Sequence, residues 1–297
     1  MHPRPVALNL ALCAGLISTS MVLLAGCASQ APKAANAAAE PAAASTAPAA
    51  VPEIAPGIPA GYLHKEQYLD SLALVPAPPA KGSAAFAHDQ AVREEAITLR
   101  GTPRWQQAIS DADLHFPHAA GTFECALGIP VSQQATPRLY LLLQRSMVDA
   151  GLSTYGAKNQ YNRTRPFALA KEASCTPDEE AALRKDGSYP SGHTTIGWAW
   201  ALILAELAPD RANAILARGR SFGESRLICN VHWQSDILEG RFMGAGTVAR
   251  LHADPTFEAD LAAAKAEIAS ARSQGLAPGR DCAAEATALQ RKLERVL

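Results

Sequence analysis

Aromatic residues are scarce in this chain: Phe, Tyr and Trp together make up 6% of 297 residues, although 48% are hydrophobic. Much of that hydrophobicity is alanine, and much of the alanine lies in the first sixty positions. An excess of positive charge is also missing. The 27 Lys and Arg are balanced by 28 Asp and Glu, which excludes a chain built to coat a nucleic-acid polymer. Charged residues amount to only 19%, too few beside so much apolar content for a wholly disordered protein. Beyond the N-terminus no run reaches the ~20 uncharged apolar residues that a membrane span needs. Val/Ile/Thr alternation is sparse, so strands are not expected to dominate. No cysteine pair has the Cys-x-x-Cys spacing of a zinc site, and no carboxylate cluster is placed to hold Mg²⁺ or Zn²⁺; neither a metal nor a cofactor is expected.

What is present first is an address. Residues 1–26 have a short basic start (His2, Arg4) and an apolar run from Leu8 to Leu24, the pattern of a secretory signal. The run ends in Leu24-Ala25-Gly26-Cys27, which resembles the lipobox of bacterial lipoproteins. That resemblance implies cleavage before Cys27, acylation of its thiol and of the new amino terminus, and anchoring by more than one chain. Ala28, rather than Asp, favours the outer membrane within that family's sorting tendency. The expected location is therefore the bacterial cell envelope, with a periplasmic domain held to the membrane by lipid only. Residues 27–60 are rich in Ala and Pro, which blocks a long helix and provides nothing bulky for a core; they read as a tether.

Residues 61–297 have the size of one domain, and helical periods dominate it. Asp89–Arg100, Pro137–Ala150, Gln234–Leu251, Glu258–Ser273 and Ala283–Val296 are expected helices. Thr195–Leu207 is almost wholly apolar and is expected to be buried. Pro209 should end that helix and Asp210 should cap the next one, running to Cys229. The fold class is all-α, a helical bundle. Gly240, Gly244, Ala245 and Gly246 should permit close helix approach. Cys125, Cys175, Cys229 and Cys282 suit disulfides in an oxidising compartment, and their spacing leaves all three pairings open.

Chemistry concentrates in three segments. Lys158 and Arg165-Pro166 are separated by six residues; Gly187-Ser-Tyr-Pro-Ser191-Gly192-His193-Thr194 precedes the apolar helix; Ser225-Arg226 is followed by His232 and Asp236. A helix N-terminus has unpaired N–H groups and partial positive charge, and Gly192 lets a ligand approach that backbone closely. Ser191 can equally be no more than a helix cap. His232 and Asp236, four apart, can pair so that the carboxylate orients the imidazole. Lys158, Arg165 and Arg226, taken singly, read as surface cations. Taken together with two histidines they suit a phosphoryl group in transfer, because guanidinium forks match phosphate oxygens and positive groups stabilise the equatorial charge.

The string K-x6-RP, PSGH, SR-x5-H-x3-D resembles the signature of the type 2 phosphatidic acid phosphatase (PAP2) superfamily, which also contains vanadium haloperoxidases. GSYPSGHT and the run from Arg218 to Asp236 are similar to the class A bacterial acid phosphatases, and the likeness spans about residues 85–250. The resemblance implies a PAP2-type helical bundle and metal-independent hydrolysis of small phosphorylated substrates, with phosphotransfer as a side activity. It implies that Lys158, Arg165, Arg226, Ser191 and the Gly192 N–H bind phosphate, that His232 is the nucleophile, that Asp236 orients it, and that His193 protonates the leaving group. It also implies pairing of Cys175 with Cys229, leaving Cys125 for Cys282. A lipid phosphate phosphatase, a vanadate-dependent haloperoxidase and a vestigial binding domain are the alternative readings, and the state of assembly stays open, a homo-oligomer included. Arg163 has no role in this scheme. Tyr189 is a candidate for the substrate entrance. Trp198 and Trp200 are read as core, His115 and His118 as loop or core, and His88 and His252 as structural or surface residues.

Overall fold

The computed structural model describes residues 50–296. The signal sequence, Cys27 and most of the proposed tether lie outside the described residues. Within them the chain is helical apart from a two-stranded antiparallel hairpin, Glu53–Ala55 with Ile58–Pro59. The hairpin occupies the last part of the Ala/Pro-rich stretch, where no regular structure was expected. Gly57, at φ 74°, supplies the left-handed conformation its turn requires.

Ten helices organise the rest: α1 (Ala84–Ile97), α2 (Pro103–Ser110), α3 (Pro137–Leu152), α4 (Tyr155–Tyr161), α5 (Pro166–Ala170), α6 (Gly192–Leu207), α7 (Ala212–Ile228), α8 (Gln234–Leu251), α9 (Pro255–Ser273) and α10 (Cys282–Leu289). Single helical turns lie at Ser71–Leu74, Glu124–Leu127 and Glu180–Leu183. None of the described helices is long and apolar enough to cross a membrane. The apolar α6 is the axis, and α3, α7 and α8 pack around it. Trp200 on α6 is fully buried, donates its indole N–H to Leu143 O at 2.9 Å, and meets Phe116 and Phe123 edge-on. Trp198 packs against the same core from a partly buried position. Close approach of α8 to α6 depends on glycine. A Cβ at Gly244 would lie 2.6 Å from Thr195 O, and one at Gly240 would lie 2.8 Å from Ser191 O. Backbone cannot yield cheaply to such contacts, and overpacking of this kind costs ~1–3 kcal/mol.

Two disulfides pin the periphery. Cys175–Cys229 joins the segment after α5 to the end of α7, and Cys125–Cys282 ties α10 to the 124–127 turn. Several helix ends differ from expectation for local reasons. Helix α1 starts at Ala84 because Ser83 caps it, accepting Phe86 N at 3.1 Å. Asp210 does not cap α7: it lies in the 3-10 turn Pro209–Arg211 and pairs with Arg272 at 3.0 Å. Helix α10 stops at Leu289, since the following chain turns to let Glu294 N and Arg295 N donate to the Glu95 carboxylate.

Candidate active site

Four chain segments converge at one end of α6. Lys158 comes from α4, Arg165 from the N-cap of α5, Gly192 and His193 from the first turn of α6, and Arg226 with His232 from the end of α7 and the loop after it. These six residues line a cavity of about 210 Å³, and Asp186, Tyr155 and Leu183 are among the others on its wall. The loop before α6 is locked into place by backbone bonds from Ser188 N to Arg163 O and from Ser191 N to Asp236 O, both 2.9 Å. Gly187 passes so near α4 that a Cβ there would lie 2.7 Å from Lys158 O. The close pass brings Gly187 O within 2.6 Å of Lys158 Nζ.

The three cations are buried, at 5%, 3% and 1% exposure for Lys158, Arg165 and Arg226, so surface solvation does not explain them. Arg165 is held by carbonyls: Nε donates to Leu183 O and Asp186 O, and Nη1 to Val231 O at 3.1 Å. Arg226 differs. Its Nε and Nη1 have no hydrogen-bond partner among the described residues. Burial, and then proximity to Arg165, brings the Arg226 guanidinium down to about 10. The same two causes bring Lys158 down to about 8, which leaves it charged in acid. A buried guanidinium with free donors on a cavity wall is chemically suited to an anion.

The two histidines have assigned tautomers. Arg165 Nη1 can only donate, so His232 Nε2, 3.1 Å away, carries the lone pair, and Nδ1–H faces Asp236 Oδ2 at 3.2 Å. His193 Nε2 lies 3.0 Å from Ala112 O, which requires a proton on Nε2 and leaves Nδ1 as its free basic atom. Both rings titrate well below the usual imidazole value. For His232 burial is the largest cause, followed by Arg165, Lys158 and Arg226; for His193 it is burial and then Arg226.

Behind His232 stands a group without an expected role. Arg163 Nη1 binds Asp236 Oδ1 and Ser235 Oγ, and its Nη2 binds Asp89 Oδ2. Asp236 Oδ2 also accepts Trp233 N at 2.8 Å. The carboxylate that faces His232 is therefore held from both sides. Arg163 falls at one of the unspecified positions between Lys158 and Arg165, so the sequence pattern gave it no role, and its place two residues before Arg165 was the one available signal. A second buried network, Arg218 with Asp111 and Ser225 Oγ with Asp111, backs the Ala112 carbonyl and Arg226. Burial pushes Asp111 up, but Arg218 outweighs it and holds the carboxyl below its ordinary range.

The structure gathers Lys158, Arg165, Gly192, His193, Arg226 and His232 on the cavity wall and sets Asp236 behind His232. Ser191 does not line the cavity; it caps α6, accepting from Thr194 N at 3.3 Å and from Thr194 Oγ1 at 3.0 Å. Tyr189 is not at the entrance: it is buried, donates to Pro76 O at 2.7 Å, and packs against Tyr161. The nearby exposed ring is Tyr155. His115 pairs with Asp113, His118 with Ser110, and His252 with Glu206 and Glu258, all away from the cavity.

Residues 139–258 match the model of the PAP2 superfamily. The chain is 46% identical over 209 residues to a non-specific acid phosphatase of Providencia stuartii, covering 70% of this chain and 84% of that protein. It is 42% identical to an acid phosphatase of Zymomonas mobilis, over 70% of this chain and 79% of the relative. A non-specific acid phosphatase of Salmonella typhi is 40% identical over 68% of this chain and 82% of its own length.

Proposed function

The chain belongs to the PAP2 superfamily and is an acid phosphatase, and from that premise we propose that it cleaves small phosphate monoesters, nucleotides and sugar phosphates among them, without a metal ion and through a phosphohistidine on His232. The observation that carries this reading is Arg226, buried and unpartnered on the wall of a cavity that also holds Lys158, Arg165 and both histidines. Three cations there do what a metal ion does elsewhere, neutralising the equatorial oxygens as charge spreads over them. The first-turn N–H groups of α6 at Gly192 and His193 add donors to the same anion.

The tautomers support the following steps. His232 Nε2 attacks phosphorus in line while Nδ1–H stays on Asp236, and the P–O ester bond breaks. The leaving oxygen takes a proton from Nδ1 of protonated His193, which returns to its neutral Nε2–H form. Water then gives a proton to His193 Nδ1 and attacks phosphorus. The P–N bond breaks, its electron pair returns to Nε2, and orthophosphate leaves. An alcohol in place of water gives phosphotransfer.

The experiment is rapid-quench labelling with a ³²P-phosphoester in the presence of EDTA. An acid-labile, base-stable phosphoenzyme is expected, and it should vanish in His232→Ala. Turnover that requires added metal, or an undiminished phosphoenzyme in His232→Ala, defeats the proposal. We also propose that the domain faces the periplasm on a lipid anchor at Cys27. Palmitate incorporation lost in Cys27→Ala supports the anchor, and its persistence removes it.

A further inference from the structure

Asp186 is an acidic residue placed among groups that should bind an anion. Its Oδ2 lies 2.9 Å from Arg165 Nη2 and 3.5 Å from Lys158 Nζ, and the residue lines the cavity with His193, Arg226 and His232. In the free protein the carboxylate therefore covers two of the three cations that would receive phosphate.

Two features argue against a purely structural role. The cations are positioned without this carboxylate. Arg165 is fixed by the carbonyls of Leu183, Val231 and Asp186 itself, and Lys158 by Gly187 O. These bonds are to backbone and survive any change of the side chain at position 186. The Asp186 side chain is also 39% exposed, whereas both partners are buried. A rim carboxylate with solvent on one side can swing outward by side-chain rotation when a dianion enters; the buried cations cannot follow.

Resting on the active-site reading above, we propose that Asp186 competes with phosphate for Arg165 and Lys158, lowering the site's grip on its product. A pocket with three buried cations, two of them released to a dianion, would otherwise hold orthophosphate after every turnover. The carboxylate takes those cations back as the product departs. It sets affinity and release, not the chemical step.

The test is competitive inhibition by inorganic phosphate during p-nitrophenyl phosphate hydrolysis, with phosphate binding measured separately by calorimetry. In Asp186→Asn, and equally in Asp186→Ala, phosphate should bind about tenfold tighter, a modest factor because water screens a rim charge. KM for substrate should fall alongside it. A structural role predicts the opposite sign, since loose cations bind phosphate more weakly, and unchanged or weaker binding in both variants overturns the proposal. Thermal melts of both variants confirm that folded protein was compared. Wild-type enzyme that phosphate does not inhibit competitively would overturn the active-site reading itself, a result distinct from an unshifted inhibition constant in the variants.

Discussion

Replacing Arg163 by methionine keeps the length and apolar stem of the side chain and removes only its charge and donors. Two carboxylates depend on that guanidinium: Asp89 and Asp236, buried at 1% and 0% exposure. Breaking a buried pair from one side costs about 3–5 kcal/mol. The lower end applies, because Asp89 retains Ser235 N and Oγ, and Asp236 retains Trp233 N and His232. The catalytic effect is separate. A hydrogen bond to a charged group is worth ~1.5–3 kcal/mol, and if that much of the hold on Asp236 is missing in the transition state, kcat/KM falls about 10- to 150-fold. Urea denaturation measures the first effect and p-nitrophenyl phosphate kinetics at saturating stability measures the second. The decisive comparison is a double-mutant cycle with Asp236→Asn. If Arg163 acts through Asp236, the second substitution adds little to the first. Fully additive losses in kcat/KM would refute the argument and leave Arg163 with a role in stability alone.

Three other outcomes follow from the same geometry. His193→Ala should slow alkyl phosphates by about 10²–10⁴-fold and p-nitrophenyl phosphate much less, since nitrophenolate leaves without a proton; equal losses on both would remove His193 as the acid. On the proposed mechanism the pH profile of kcat/KM should lie on the acid side of 6.5: His232 would attack when neutral and His193 donate when protonated, and both rings are held well below that value by burial and by the neighbouring cations. An alkaline limb above 6.5 in the free enzyme would contradict this. Away from the site, burial raises the Asp149 carboxyl from 3.8 to about 6, even though it accepts Tyr62 N and Leu63 N. A carboxyl whose folded value is raised contributes stability fully below its unfolded value and loses it as pH climbs through the folded one. Wild-type stability should thus fall relative to Asp149→Asn by about 3 kcal/mol from well below pH 3.8 up to pH 7. A pH-independent difference between the two proteins would refute it.

The helical class and the buried α6 were legible because apolar period and capping are local signals. Cys175–Cys229 and Cys125–Cys282 followed from family likeness rather than spacing, and the structure contains both. Lys158, Arg165, Arg226, His193, His232 and Asp236 stood out as a set because each carries a charge or a hydrogen-bonding ring. What stayed hidden depends on contacts between distant segments. Arg163 meets Asp89 across 74 positions, and Asp186 meets Lys158 across 28. Nothing in either residue's immediate surroundings announces those partners. Tyr189 was misplaced for a related reason: adjacency to the PSGH segment put it near the site in sequence, but Pro76, on a distant loop, takes its hydroxyl and buries the ring.

Anion affinity and operation in acid have one origin here. Burial in one cavity depresses Lys158, Arg165, Arg226 and both histidines together, and neighbouring cations add to it for Lys158, Arg226 and the two rings. In the proposed mechanism a phosphate entering the cavity relieves the repulsion among the cations, which favours its binding. Burial, joined by the same cations, also holds His232 well below the usual imidazole value, so that in the proposed mechanism it is unprotonated and able to attack at a pH where a free imidazole would carry a proton. Carbonyl oxygens at Leu183, Asp186, Gly187 and Val231 hold Lys158 and Arg165 without adding charge, and the carboxylate that reaches both is that of the partly exposed Asp186. Dipoles satisfy donors without cancelling the field, whereas a buried carboxylate fixed to both cations would cancel it. The compensating carboxylates stand elsewhere: Asp236 behind His232, where it steadies the ring, and Asp186 on the rim, where it can leave. Changes to wall residues must therefore move affinity and pH range together, and the rim is the position from which affinity alone can be adjusted.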